Sequence, residues 1–156
     1  MSRVARWVAP ASLAVAIGGI AVSTYLTIAH YTSPDVLACG TGDTVNCEVV
    51  TTSPQSTFLG IPVAVLGLAW SVGMAALCLP VAWRSGSRAL HLLRLAGTIA
   101  GIGFALWLIY AELFIIEAIC LWCTVAHVLA FALFAIVAVA SPALLIPDEE
   151  DQTSYS

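Results

Sequence analysis

Long apolar runs set the pattern of this chain, and short polar stretches separate them. A membrane-crossing helix takes about 20 mostly apolar residues. Four stretches reach that length: about 7–29, 62–83, 91–114 and 118–140. None shows the every-second-residue alternation of a barrel strand. A lipid-exposed backbone must satisfy its own hydrogen bonds, so all four are expected to be helices. Pro62, in the "GIP" that opens the second, suits a first helical turn, where its missing N–H costs nothing. Pro142 and Pro147 stop the fourth. The expected fold is an all-α membrane protein, a four-transmembrane-helix bundle forming a single domain over 1–156. Its outer loop, 29–61, is long enough to carry short helices.

Composition agrees. Hydrophobic residues make up 61% and charged residues 9%, against about 25% charged in soluble domains. So little polar surface cannot coat a water-soluble globule. Lysine is absent and all five basic residues are arginine, so no nucleic-acid patch exists and no nucleic-acid partner is expected. The first apolar run is longer than a signal-peptide core and no clear cleavage site follows it, so it reads as a retained anchor.

The arginines orient the bundle. Arg3 and Arg6 precede the first helix, and Arg84, Arg88 and Arg94 lie in or beside the link between the second and third. Positive residues favour the cytoplasm. Both termini are then cytoplasmic, including the acidic tail 141–156. The 29–61 loop and the turn near 115–118 face outward, in a cell (inner or plasma) membrane. Gly97 and Gly101, like Gly67 and Ser71, have the spacing that lets membrane helices approach closely. Trp107, Tyr110 and Trp122 read as anchors at the outer interface.

This topology puts four of the five cysteines at the outer end. Cys39 and Cys47 lie in "CGTGDTVNC" and Cys120 and Cys123 in "ICLWC"; Cys78 falls near the inner end and has no assigned role. The outer compartment permits disulfides. Cys120 and Cys123 are one helical turn apart near a helix N-terminus, whose dipole favours thiolate. A Gly/Asp/Asn-rich loop carrying Cys39 and Cys47 suits exchange with a protein partner. A four-cysteine zinc site is the alternative for such residues, but seven residues between Cys39 and Cys47 exceed the usual knuckle spacing, and no metal is expected. Two static disulfides bracing a non-enzymatic scaffold also fit the residues. His127 is one turn beyond Cys123, about 6 Å deeper. An ionisable group there is a functional candidate.

"CGTGDTVNCEVVTTSPQSTFLGIPVAVLGLAW" together with "ICLWC" resembles the vitamin K epoxide reductase family in its bacterial form. The shared pattern is C-x7-C, a serine six residues after the second cysteine (Ser53), "LGIP" opening the next helix, and a late C-x-x-C. The resemblance covers roughly 20–140 and implies a four-helix bundle around a quinone, of the menaquinone or ubiquinone type. It implies that Cys39 exchanges with a separate thioredoxin-like (DsbA-like) partner outside the cytoplasm. Cys47 then forms a transient disulfide with Cys120, and Cys123 donates electrons to the quinone, supporting disulfide bond formation. Ser53 helps place the loop beside the site. His127 stands where many members have tyrosine. Ser56 and Thr57 are nearest to an asparagine of the family, and their hydroxyls are expected to replace its hydrogen bond.

Overall fold

The computed structural model describes residues 6–33, 36–39, 42, 44–85 and 87–141. Arg3, Pro142, Pro147 and nearly all of the acidic tail lie outside them. The described chain is mostly helical. α1 (Val8–Tyr31) and α5 (Arg88–Ala111, continued by a π-helical turn Glu112–Ile116) are joined by α6 (Leu121–Ala140) as three helices long and apolar enough to cross a membrane. α1 packs against α3 (Val63–Leu77) and α6, and α6 packs against α5.

The second apolar run departs from expectation. α3 has only 15 residues, about 22 Å of rise against a hydrocarbon core of about 30 Å. Pro80 is the cause. It lacks an N–H and forces the preceding residue out of the helical region, and Leu79 has ψ 142°. The chain resumes as α4 (Pro80–Arg84). Pro62 also differs: it precedes α3 in extended conformation rather than sitting in its first turn.

The break leaves the Leu77 carbonyl without a helical donor, and Arg94 supplies one. Its Nε and Nη2 donate to that oxygen at 3.0 and 2.6 Å. Its guanidinium lies 3.7 Å over the Trp83 ring, and Nη1 is 3.2 Å from His91 Nδ1. Arg94 is 1% exposed. It clamps α5 to α3 from a buried position beside the link between α4 and α5.

On α3 the small residues meet small residues of α1 as expected: a Cβ on Gly67 would stand 3.3 Å from Ser23 Oγ, and one on Gly19 would stand 2.9 Å from Ser71 Oγ. On α5 they work differently. A Cβ on Gly101 would stand 2.4 Å from the Trp70 ring, and one on Gly97 would stand 2.8 Å from Met74 Sδ. Trp70 Nε1 donates to the Gly97 carbonyl at 2.9 Å. Gly97 and Gly101 are slots for the large α3 side chains Met74 and Trp70.

The outer loop holds more than short helices. α2 (Cys47–Thr51) is capped by Asn46, whose side chain accepts from Val49 N–H at 3.1 Å. A 3-10 turn, Pro54–Ser56, follows. Then comes an antiparallel hairpin of β1 (Thr57–Phe58) and β2 (Ile61–Pro62), pairing Thr57 with Pro62 and Phe58 with Ile61. Leu59 and Gly60 both have positive φ, as two-residue hairpin turns require. The bundle is helical as expected, and this one ribbon is the addition in the loop.

Candidate active site: two cysteine pairs beside an apolar cavity

Cys39 and Cys47 are joined by a disulfide with Cα atoms 5.9 Å apart. Cys47 begins α2 and is buried, whereas Cys39 is partly exposed. The strand of chain before Cys39 is strapped to the bundle. Tyr25 Oη donates to the Val36 carbonyl at 2.5 Å and accepts from Ala38 N–H at 3.1 Å. Trp122 Nε1 donates to the Ala38 carbonyl at 3.3 Å. The two rings meet edge to face, 4.9 Å apart. Trp122 therefore holds the redox loop and is not an exposed belt anchor, whereas Trp107 and Tyr110 are half exposed.

The second pair starts α6. Cys120 is its N-cap, and its sulfur accepts from Cys123 N–H at 3.2 Å. A sulfur in that position gains from negative charge. The Cys120 thiol is held below its ordinary pKa, chiefly by hydrogen bonding with the Cys123 thiol and against the effect of burial. Cys120 and Cys123 are both free thiols. Cys78 is free and fully buried at the other end.

Backbone pairing brings the two cysteine pairs together. Ile119 N–H donates to the Thr44 carbonyl at 2.9 Å and Asn46 N–H donates to the Ile119 carbonyl at 3.1 Å. This one-residue parallel bridge of Val45 with Ile119 sits immediately before Cys47 on one side and Cys120 on the other. Cys47 and Cys120 share one buried cluster, with Cys39 and Cys123 packed against it.

Below them the bundle encloses a cavity of about 560 Å³ with mainly apolar walls. Cys123 and His127 line it, as does Ser56; Cys120 and Ser53 do not. The Ser53 hydroxyl donates to the Val50 carbonyl at 2.7 Å and so ends α2. The Ser56 hydroxyl donates to the Ser53 carbonyl at 2.7 Å, and Thr57 is exposed with its hydroxyl on Pro54 O. His127 is 6% exposed. Trp70, Phe104 and Leu66 supply flat and aliphatic wall. A concave, largely apolar space with a few convergent polar groups suits a planar ring on a hydrocarbon tail, so the residues present fit a quinone. Among the described residues no group of three His, Cys, Asp or Glu is placed to hold a metal.

One lining residue was not foreseen: Glu112, 6% exposed. The signal was available, because an acid in the last turn of a predicted span is itself a functional candidate. It lies at the π-helical turn, where Ala118 N–H closes back on the Glu112 carbonyl at 3.2 Å and Glu117 takes a left-handed conformation. Such turns recur at functional sites.

A loop disulfide strapped over a second dithiol, at one end of an apolar bundle, is the arrangement of a membrane thiol oxidant. Residues 10–138 match the model of the vitamin K epoxide reductase family, and over so much of its length this chain belongs to that family of membrane disulfide oxidoreductases.

Proposed function

We propose that the protein reoxidises a separate thioredoxin-like partner outside the cytoplasm and passes the electrons through its two cysteine pairs to a membrane quinone. The observation that carries this reading is the division of labour within the C-x-x-C. Cys120 packs with Cys47 away from the cavity, while Cys123 lines it. One cysteine faces the loop and the other faces a lipid-sized space.

A partner thiolate attacks the half-exposed Cys39 sulfur, and Cys47 leaves as thiolate. Cys47 then attacks Cys120, which breaks a Cys120–Cys123 disulfide and frees Cys123. The partner's second thiolate attacks the partner sulfur held by Cys39, so the partner leaves oxidised; the freed Cys39 attacks Cys47, which restores the loop disulfide and releases Cys120. Re-forming the Cys120–Cys123 disulfide gives up two electrons, which a quinone held beside Cys123 and His127 would accept with two protons to become quinol. His127 is the polar group on α6 that orients a ring oxygen, and Ser56 is its counterpart from the loop. Ser53 supports the loop through the turn after α2. In this reading α3 and α4 together form a fourth crossing, both termini are cytoplasmic and the cysteine pairs are extracytoplasmic.

The test is anaerobic addition of a water-soluble quinone analogue to purified, reduced protein. One quinol should form for every two thiols lost. Thiol loss without quinol would reject the quinone as acceptor.

A further inference from the structure

Glu112 has no part in the scheme above. Its side chain is buried in the wall that Cys123 and His127 also line. Oε2 accepts one hydrogen bond, from Cys120 N–H at 3.4 Å. Among the described residues no guanidinium stands near it. Arg94 is five turns earlier on the same helix, about 27 Å away, with Arg84 and Arg88 beyond it. Arg6 precedes α1, whose first residue Val8 packs with Trp83 at that same far end. The other titratable groups facing the cavity are His30 from α1 and Cys123 and His127 from α6; α3 and the loop contribute none. The hydrogen bond from Cys120 N–H and the wall shared with Cys123 tie it to both members of the pair.

An anion in so dry a place is costly, and two neighbouring anions cost far more. The site therefore holds one negative charge at a time, and the N-cap position of Cys120 favours its sulfur when the pair is reduced. We propose that Glu112 is the proton store of the Cys120–Cys123 couple: it is a neutral acid beside the reduced pair and a carboxylate beside the disulfide. This rests on the reading of that pair as redox-active, though not on the identity of its acceptor.

The balance is as follows. The reduced site has Cys120 as thiolate, Cys123 as thiol and Glu112 as acid. Cys120 sulfur bonds to Cys123 sulfur, two electrons pass to the quinone, and the protons that accompany them come from the Cys123 S–H and the Glu112 O–H. The site starts and ends with one negative charge, so electrons leave it without net charge being moved into lipid.

The test uses full-length protein carrying Cys39→Ser and Cys47→Ser, so that only the inner pair titrates, equilibrated with a soluble dithiol at several pH values. Below its own pKa the dithiol also binds two protons per electron pair, so the exchange constant for the native pair should not change with pH, whereas the Glu112→Gln pair takes up one proton and the constant for its reduction should rise about tenfold per pH unit. An unchanged slope in Glu112→Gln, which keeps the acceptor for Cys120 N–H, would overturn the proposal. Infrared difference spectra give a second readout should that variant not fold. Reduction should add net intensity to a carboxyl C=O band, and Glu112→Asp should move it. A band that only shifts without net gain would mean that Glu112 keeps its proton state and merely positions Cys120. Neither readout involves quinone, so a failure of the acceptor assignment remains separate.

Discussion

Cys123 and His127 sit one helical turn apart on α6 and both line the cavity, yet they are asked for different things. Cys123→Ala removes the only sulfur of the inner pair that lines the cavity, so quinol formation should fall by at least about two orders of magnitude, as expected when a covalent reaction centre is deleted. A quinol burst at the native rate would remove Cys123 from the terminal role. His127→Phe keeps the ring volume and loses one polar contact. Quinone KM should rise about tenfold, the worth of one hydrogen bond, with partner exchange unchanged. Equal losses in both half-reactions would make His127 part of the scaffold. These residues were legible from spacing alone, because three and four residues on a helix share a face. Glu112 and Ser53 were not. Their roles depend on a π-helical turn and a loop fold that turn one side chain into the cavity and keep the other out.

At the scale of elements, two joints decide the geometry. One is the strap over Cys39. Tyr25→Phe removes an acceptor and a donor at once, and amide exchange at Ala38 and Cys39 should quicken about 2- to 10-fold, the effect of losing a hydrogen bond of roughly 0.5–1.5 kcal/mol. Unchanged exchange would mean that Trp122 alone holds the strap. The other joint is the break at Pro80. Arg94→Met leaves the Leu77 carbonyl buried without its donor, which should cost about 1–3 kcal/mol and lower the midpoint of thermal unfolding, while the redox chemistry some five turns away continues. The prolines were visible in the sequence, and Pro80 was read through because hydropathy is continuous across it. Arg94 was read only as a topology signal, because its clamp comes into view only when a carbonyl without its helical donor is found beside it.

For the whole molecule, the proposed orientation puts the strapped loop outside and the Arg94 clamp toward the cytoplasm. An impermeant maleimide, applied to intact cells after mild reduction, should therefore label Cys39 and leave Cys78 untouched. Labelling only after the membrane is permeabilised would invert the topology. The sequence by itself determined that the chain belongs in lipid, which runs become helices, which end carries the thiols and which family the pattern fits. Those properties follow from local composition and spacing, since a helix in lipid closes its own hydrogen bonds and shows its periodicity in one dimension. Only the tertiary structure decided that Cys120 turns to the loop and Cys123 to the cavity, that a backbone bridge at Ile119 joins the two pairs, and that an acid lies buried beside Cys120 in the cavity wall. Each of those depends on segments far apart in the chain meeting in space, which no reading of neighbours along the chain supplies.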